Sequence, residues 1–332
     1  MHIGIFGMGY WGKNILRNLL KVEEVHKLTI YDPASFHPDS AGLLSDARIH
    51  CTTNKSDIVK DPTVEAVFIV TPAETHFQIA SNILQNGKHV FIEKPVTTNS
   101  NDLKTLINLA EKNEKVLFPS HTYLHTAEIK KLKKLIDDDG LLGKPLLYQS
   151  NRSNFGRFRS DKSAAWDLAV HDLYIIKHLF SQTPVSVSAT GLKCDDNFPH
   201  VMCNISIGYN KGLSASIVAN WLSSQKFRDT VIVGTKGSFI YDDCLTKNKL
   251  AYYSKEIPDN LSQMSYGDDN IKSSVTVESR EAIADQIHSF FSMIHNNNIE
   301  NNDAKFAIEI IKTLETIELS INNNGNSCII QD

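Results

Sequence analysis

The feature that most constrains the fold is the alternation of short β-rich runs with helical patterns over the first 122 residues. Helical spacing is present at about 11–21, 74–87 and 101–113. The β-rich runs are residues 2–6, 27–31, 48–51, 65–70, 88–93 and 115–120. Strands that alternate with helices favour a parallel, doubly wound sheet. Residues 1–122 are therefore predicted to form an α/β domain.

The rest of the chain follows a different pattern. After a charged amphipathic helix at about 125–138, polar and apolar residues alternate with a period of two, which is typical of strands. The predicted strands are 184–193, 201–210, 212–222, 227–235 and 237–243, and further helices are predicted at about 167–181, 281–295 and 303–322. We expect residues 123–332 to form an α+β domain for substrate binding and oligomerisation, with a large, mostly antiparallel, open-faced sheet. Because an uncovered sheet face favours a partner, we expect a homodimer or homotetramer.

Composition argues against several other classes of protein. Of the 332 residues, 41% are apolar and 22% are charged, and the net charge is −4, which gives no electrostatic support for binding to nucleic acid. No apolar run approaches the ~20 residues of a membrane helix, and the start of the chain lacks the pattern of a signal peptide. The five cysteines are scattered without metal-ligand spacing, so we expect a reduced, cytoplasmic protein without a metal site.

Three glycines follow the first predicted strand and open the first predicted helix. Gly7, Gly9 and Gly12 have the spacing Gly-x-Gly-x-x-Gly, which allows a tight turn, close approach of a pyrophosphate and close packing of helix on strand. Asp32 ends the second strand, where a carboxylate can accept hydrogen bonds from both ribose hydroxyls and repels a 2′-phosphate. The glycines alone also fit a tight turn without function. Together with Asp32 they predict a Rossmann domain that binds NAD rather than NADP.

Two later strands of this domain end in polar or charged residues. Thr71-Pro72 follows the run at 65–70, and Glu93-Lys94 ends the run at 88–93. The carboxyl ends of parallel strands form the edge at which ligands bind, so Lys94 could lie beside a nicotinamide and reach a substrate hydroxyl. Simpler interpretations stay open, because Pro72 also fits the start of a helix and Glu93-Lys94 also fits a surface ion pair.

A third group of chemically active residues lies in the predicted helix at 167–181. Asp167 and His171 are four residues apart, which brings both side chains to one helix face. A histidine with a carboxylate one turn away can act as an acid or base, and Asp172 adds a further polar group. The alternative is a histidine whose hydrogen bonds are satisfied on a helix without a catalytic role.

Taken together, these motifs resemble the glucose–fructose oxidoreductase and inositol dehydrogenase family (Gfo/Idh/MocA). The resemblance includes the glycine motif, Thr71-Pro72 with His76, Glu93-Lys94-Pro95 and Asp167-x-x-x-His171, and it covers essentially the whole chain. Each motif is weak alone, whereas their order and spacing are highly specific. In that family a nicotinamide nucleotide lies on the first domain, and the second domain holds a sugar or polyol against it.

The resemblance implies roles for individual residues. Lys94 corresponds to a lysine that contacts the substrate hydroxyl, and His171 corresponds to the histidine assigned as acid or base. Asp167 corresponds to a carboxylate that positions the substrate or the histidine, and Pro95 helps to set the geometry of the lysine. Thr71, Pro72, His76, Glu93 and Lys94 are accordingly expected to contribute to cofactor binding, with Gly7, Gly9, Gly12 and Asp32.

One subgroup of this family is closer than the others. The sequence before Asp167 is Ser-Ala-Ala-Trp, where many members have a glycine-rich run, and the glycine turn continues as Gly-Tyr-Trp-Gly. These features resemble members that act on nucleotide-activated sugars, the best characterised of which oxidise the 3-hydroxyl of UDP-N-acetylhexosamines before an aminotransferase acts. Tyr10 and Trp11 are expected to pack over the cofactor or to touch the substrate, and Trp166 is expected to contact the substrate.

A basic segment supports a phosphate-bearing substrate independently of the resemblance. Arg152, Arg157, Arg159 and Lys162 precede the helix of His171, and guanidinium groups bind phosphates in a bidentate manner. A solvated basic loop is the alternative. Tyr123 and His121 are further candidates for substrate contact, with structural packing equally open.

The sequence therefore predicts NAD-dependent oxidation of a secondary alcohol, at C3 of a UDP-activated amino sugar, with His171 or Lys94 taking the hydroxyl proton. Four alternatives stay open. They are a ketoreductase working in reverse on a keto-deoxysugar nucleotide, a dehydrogenase of free sugars or polyols, an NAD-dependent glycosidase, and an inactive relative that senses NAD.

Overall fold

The computed structural model describes residues 1–34, 41–156, 158–258, 271–278 and 281–331. Their contacts divide the chain into two compact units. The first unit comprises Met1–His125 and Glu281–Ile311, and the second comprises Thr126–Arg280 and Lys312–Asp332.

A six-stranded parallel sheet forms the centre of the first unit in the described part of the chain. Its strands are β1 (His2–Phe6), β2 (Lys27–Tyr31), β3 (Ile49–Thr52), β4 (Ala66–Ile69), β5 (His89–Ile92) and β6 (Leu117–Pro119). The order is β3-β2-β1-β4-β5-β6. The chain therefore reverses its direction of winding at β1, which pairs with β2 on one side and β4 on the other. Ligands of open α/β sheets bind at such a switch point, and the doubly wound fold is as predicted.

Six helices lie within the first unit in the described part of the chain, and all but the short helices Ala41–Leu44 and Ser56–Val59, which were not predicted, begin and end within a few residues of their predicted positions. They are α1 (Tyr10–Leu19), α2 (Ala41–Leu44), α3 (Ser56–Val59), α4 (Ala73–Gln85), α5 (Ser100–Lys112) and α8 (Ala282–His295). Helix α9 (Asn302–Asn322) begins in this unit and ends in the second. Within the described residues, none of the helices is both long and apolar enough to cross a membrane.

Helix α8 belongs to the first unit, although it lies near the end of the sequence. Its Phe290 ring packs edge-on against Phe68 of β4 and Phe91 of β5, with centroid separations of 5.5 and 5.7 Å. Phe291 and Ile287 enter the same buried cluster. The sequence division assigned all of 123–332 to the second domain. The structure instead groups 281–311 with the first unit, because these aromatic side chains complete its core.

The second unit is built on a nine-stranded, mostly antiparallel sheet within the described residues. The strands are β7 (Pro145–Phe155), β8 (Pro184–Leu192), β9 (Met202–Tyr209), β10 (Ser214–Asn220), β11 (Leu222–Gly234), β12 (Gly237–Asp242), β13 (Leu250–Ser254), β14 (Ile271–Val275) and β15 (Cys328–Ile329). Their order is β14-β13-β12-β11-β7-β10-β9-β8-β15, and β7 and β10 run parallel. The helices are α6 (Ala127–Asp137) and α7 (Val170–Phe180). The predicted fold class is confirmed.

One face of this sheet is apolar and buried, and the other is polar. In β9, Cys203, Ile205 and Ile207 are buried, whereas Asn204 and Ser206 are exposed. The polar face also carries a cavity of about 500 Å³, whose lining includes Gln149, Asn151, Asn220 and Asp229. The open-faced sheet is thus present, and its open side consists largely of amide and hydroxyl groups.

Candidate active site

The glycine loop after β1 has the shape that its spacing predicts. Gly7 has a φ of +94°, and a Cβ there would lie 2.8 Å from the carbonyl oxygen of Val70. A Cβ on Gly12 would overlap the carbonyl of Gly7, whereas a Cβ on Gly9 would meet nothing within 4 Å. Gly7 and Gly12 are therefore required for the turn and its packing, and Gly9 leaves open space at the start of α1. This arrangement fits a pyrophosphate.

The start of α1 presents backbone N–H groups and two aromatic side chains. Gly9 occupies the N-cap position without a side-chain cap, and the first turn carries no acidic residue, so its donors suit an anion. Tyr10 and Trp11 are exposed and pack edge to face at 5.6 Å. They lie on the surface beside the glycine loop, and their contact with cofactor or substrate stays a prediction.

Asp32 holds the backbone on both sides of its carboxylate. One oxygen accepts a hydrogen bond from the N–H of Met8 at 2.7 Å, and the other accepts from the N–H of Ala34 at 2.9 Å. Each carboxylate oxygen can accept more than one hydrogen bond, so Asp32 keeps capacity for ribose hydroxyls. Its contact with Met8, which the sequence did not predict, also fixes the glycine loop.

Residues 70–72, here called the cofactor loop, follow β4 and lead into α4. Pro72 is the N-cap of α4. The hydroxyl of Thr75 donates to the carbonyl of Pro72 at 2.7 Å and lies 2.7 Å from the hydroxyl of Thr71. Because the single proton of Thr75 is already engaged, Thr71 donates to Thr75. Pro72 thus begins a helix, and Thr71 and Pro72 also lie at the carboxyl end of β4, so both interpretations of these residues are compatible.

Residues 93–97, here called the lysine loop, follow β5. Glu93 is buried, and its carboxylate accepts hydrogen bonds from the hydroxyl of Ser120 at 2.8 Å and from the N–H of Lys94 at 3.3 Å. Burial raises the pKa of Glu93 above its usual range. Lys94 is partly exposed, and the peptide bond between Lys94 and Pro95 is cis. The lysine thus lies at the carboxyl edge of the sheet, as predicted.

His76 lies on the first turn of α4 and connects these two loops. Its Nδ1 is 2.9 Å from the carbonyl oxygen of Pro95, and its Nε2 is 2.8 Å from that of Thr71. The side chain is 1% exposed, and burial lowers its pKa. His76 was expected to bind cofactor. In the structure its two ring nitrogens contact the loops that carry Thr71 and Lys94.

Gln286 of α8 is a residue of this site that sequence reasoning missed. In the orientation that satisfies both ends of its amide, the nitrogen donates to the Ser120 hydroxyl at 3.3 Å and the oxygen accepts from the N–H of Thr122 at 2.9 Å. The chain of contacts from Gln286 through Ser120 reaches Glu93. Gln286 is more than 160 residues from Ser120 in sequence, so no local pattern could have revealed it.

His121 and Tyr123 follow the end of β6. His121 is buried, and burial lowers its pKa well below its usual range. Tyr123 lies in the 3₁₀ turn Thr122–His125 and is partly exposed. Packing in the first unit therefore accounts for His121, whereas Tyr123 keeps an accessible surface.

Asp167 and His171 are partly exposed positions in an otherwise buried segment of the second unit. Asp167 lies in a π-helical turn, Ala165–Ala169, and His171 lies in the first turn of α7. Such turns occur often at functional sites. The indole N–H of Trp221 donates to Asp167 at 3.2 Å and so orients the carboxylate. The helical start is as predicted, but its first turn is π rather than α.

Asp172 and Arg152 form a buried ion pair in the second unit. The Nε of Arg152 donates to Asp172 at 2.8 Å, and the hydroxyl of Tyr148 donates to the other oxygen at 2.8 Å. Arg152 is 1% exposed and lies in strand β7 rather than in a loop. Its expected contact with substrate phosphates is contradicted by this geometry, because Asp172 already compensates its charge inside the core.

Arg159 and Lys162 have partners as well. Arg159 pairs with Asp161 at 2.9 Å, and the Nζ of Lys162 lies 4.4 Å from the ring centroid of Trp166. Trp166 is buried at 2% exposure, so this site offers little indole surface for the expected contact with substrate. Arg157 lies outside the described residues.

Comparisons with known proteins agree with the fold and with an NAD-binding first domain. The family model for the oxidoreductase family with an NAD-binding Rossmann fold matches residues 1–121, and the model for the GFO/IDH/MocA C-terminal domain matches residues 129–240. UDP-N-acetylglucosamine 3-dehydrogenase GnnA from Acidithiobacillus ferrooxidans has a solved structure with a TM-score of 0.82 and 21% identity, covering 98% of this chain and 99% of that chain. GenD2 from gentamicin A biosynthesis, solved with NAD, has a TM-score of 0.82 and 17% identity, covering 100% and 97%.

Curated relatives include enzymes with different substrates. The Acidithiobacillus enzyme is 28% identical over 195 residues, and myo-inositol 2-dehydrogenase from Thermotoga maritima is 23% identical over 201 residues, each match covering 58% of both chains. The chain spans about half the length of the curated relatives it matches. Its first unit is an NAD-binding Rossmann domain, and the chain belongs to the Gfo/Idh/MocA family of oxidoreductases.

Proposed function

We propose that the protein is an NAD-dependent dehydrogenase that oxidises a secondary hydroxyl of a UDP-activated amino sugar at C3. The observation that carries the proposal is the pair Asp167 and His171. Both are partly exposed within a buried segment, and the indole of Trp221 fixes the carboxylate. An oriented carboxylate one turn from a histidine is suited to general acid–base chemistry.

The proposed chemistry has two candidate groups for proton transfer, His171 and Lys94. NAD, when bound, supplies the hydride acceptor. The hydroxyl proton passes to the imidazole of His171 or to the amine of Lys94, and the electron pair of the C–H bond leaves the carbinol carbon as hydride. Loss of the proton raises electron density on that carbon and eases departure of the hydride.

A nucleotide substrate is supported by an exposed aromatic pair near Asp167. The rings of Phe155 and Phe158 pack edge to face at 5.7 Å, and Phe158 packs in the same way on Trp221 at 6.2 Å. Phe155 is 71% exposed, which is unusual for a phenylalanine. Aromatic faces of this kind bind nucleobases by stacking. Likeness to the GnnA enzyme points in the same direction.

A dehydrogenase of free polyols is the second candidate. The buried pair of Arg152 with Asp172 and the surface pair of Arg159 with Asp161 compensate two of the cations expected to bind a diphosphate. Relatives that are inositol dehydrogenases match this chain over a similar share of its length. A substrate without phosphate would need neither arginine.

The test is NADH formation from NAD with UDP-N-acetylglucosamine and, in parallel, with myo-inositol. A 3-keto sugar nucleotide is consumed by transamination, so the assay includes an aminotransferase to draw the reaction forward. Turnover with the sugar nucleotide alone supports the proposal, and turnover with myo-inositol alone supports the polyol candidate. Replacement of Phe158 by Ala should raise the KM for the sugar nucleotide by about tenfold, since stacking on an aromatic residue contributes 1–3 kcal/mol per base.

Self-association through the open face of the second sheet is also proposed. The small polar side chains Asn204, Ser206 and Ser216 leave this face uncovered in the described chain and allow another sheet to approach closely. Light scattering at micromolar concentration should give the mass of a dimer or tetramer. A clean monomer would remove this part of the proposal.

A further inference from the structure

His76 makes two hydrogen-bonding contacts that join functionally different loops. Its Nε2 faces the carbonyl of Thr71 in the cofactor loop, and its Nδ1 faces the carbonyl of Pro95 in the lysine loop. The two loops follow neighbouring parallel strands, β4 and β5. The imidazole is fully enclosed, so it acts through these loops and not by direct contact with a substrate.

The number of N–H groups on the ring limits which of these contacts can be a hydrogen bond. A carbonyl oxygen only accepts, so each contact needs an N–H from the ring, and a neutral imidazole has one N–H. Burial disfavours the charged ring with two N–H groups by lowering the pKa of His76. The neutral ring therefore donates to one loop at a time, from Nδ1 in one tautomer and from Nε2 in the other. An amide side chain whose nitrogen lies at one of these positions keeps one contact and loses the other.

We infer that His76 is a positioning residue that holds the lysine loop in the tautomer with the proton on Nδ1 and the cofactor loop in the tautomer with the proton on Nε2. The inference rests on the proposed function for the role of Lys94, and on the family's NAD site for the role of Thr71. It predicts that the two contacts have separable effects, one on turnover and one on NAD affinity.

Two amide side chains separate the contacts. The amide nitrogen of Asn can occupy the position of Nδ1, and that of Gln the position of Nε2. His76→Asn should keep the contact to Pro95, so kcat at saturating NAD stays close to that of the unmodified protein while the Kd for NADH rises about tenfold, as for the loss of one hydrogen bond. His76→Gln should keep the contact to Thr71, so the Kd for NADH changes little while kcat falls about 10²-fold through misplacement of the lysine.

His2 provides a matched control in the same sheet. It is the first residue of β1 and so lies at the amino ends of the strands, whereas His76 lies near their carboxyl ends. His2 is 2% exposed and also bridges two groups, with Nδ1 2.8 Å from the hydroxyl of Thr63 and Nε2 2.8 Å from that of Thr29. His2→Asn and His2→Gln should lower stability without separating kcat from NADH affinity. Positioning is distinguished from general support of the fold by two results together. At residue 76 one variant loses NADH affinity and the other loses kcat, whereas at residue 2 both variants change these two quantities alike.

Hydrogen exchange gives a second readout that needs no substrate. Amides of residues 71–75 should exchange faster in His76→Asn, and those of residues 93–98 should exchange faster in His76→Gln. Equal loss of kcat and NADH affinity in both variants, or exchange that rises alike in both segments, would overturn the inference. If the unmodified protein oxidises no sugar, the proposed function fails, and NADH affinity and exchange still decide the role of His76.

Discussion

The two units hold their candidate site residues by different means. In the first unit the partners are mainly backbone groups, because Asp32 accepts from the N–H of Met8 and His76 contacts the carbonyl of Thr71. In the second unit they are side chains, with Trp221 bonded to Asp167 and Arg152 paired with Asp172. A site held by backbone groups depends on loop shape, whereas a site held by side chains depends on single distant residues.

The difference teaches which substitutions should be informative. Loop shape in the first unit is set by glycine and proline at fixed spacing, so single side-chain changes there should act through the position of the loop residues. In the second unit, loss of one partner leaves the other without its hydrogen bond or counter-charge, which is costly when the group is buried.

The largest expected effect tests whether each unit supplies a proton-transfer group. Lys94→Met and His171→Ala should each lower kcat by roughly 10²–10⁴, the contribution of general acid–base catalysis. Affinity for NADH, measured by its fluorescence, is the control for an intact Rossmann domain. Unchanged turnover in Lys94→Met would exclude Lys94 as the proton-transfer group and leave His171 of the second unit in that role.

The next effect concerns stability and distinguishes a buried from an exposed ion pair. Arg152→Met leaves Asp172 buried without its counter-charge and should lower the free energy of unfolding by about 3–5 kcal/mol. Arg159→Met is the matched control, since its pair with Asp161 lies at the surface and should matter far less. Urea unfolding measures both. A similar loss of free energy of unfolding in the two variants would contradict the larger contribution to stability assigned to the buried pair.

A smaller effect is expected at Trp221. Trp221→Phe removes the N–H that orients Asp167 and keeps most of the apolar volume, so kcat should fall about tenfold, as for one hydrogen bond to a charged group. Steady-state kinetics should show this loss with little change in NADH affinity. A loss of NADH affinity instead would remove the proposed division of labour between side-chain and backbone partners.

The last effect is the response to acid, in which His89 of the first unit should take part. Burial lowers the pKa of His89 from 6.5 to about 4, and its Nδ1 accepts a hydrogen bond from the N–H of Val116. The unfolded chain binds a proton more readily, so this stability is present above pH 6.5 and is lost as the pH falls toward about 4. His89→Asn keeps an acceptor that does not titrate. Its free energy of unfolding should fall less over this range, and an identical pH profile would contradict the assignment.

The sequence predicts the first unit in more detail than the second. Apolar runs buried on both faces, such as β1 and β4, and glycines with a defined conformational role, such as Gly7, are local signals. These local signals were sufficient to predict the order of the strands and helices along the chain and the loops at the carboxyl ends of the strands. Substrate-side details were less accessible, because they depend on pairings between residues far apart in sequence.

Two examples show why these details escaped. Arg152 resembles a phosphate ligand in a basic segment, but the alternation along β7 turns it into the core, where Asp172 neutralises it. Gln286 carries no motif, and only the packing of α8 brings it to Ser120. Strands β13, β14 and β15 were also missed, since the pattern of alternation is weak over their short lengths.

The position of α8 has a consequence for how the protein is made. Phe68 and Phe91 of the first unit contact Phe290 only after the intervening residues 126–280 of the second unit have been synthesised. A nascent chain that ends at residue 125 therefore carries its glycine motif and its strands with an incomplete aromatic core. The core of the NAD-binding domain is completed only once residue 290 has been synthesised, so this domain cannot be cut out at residue 125 without exposing apolar surface.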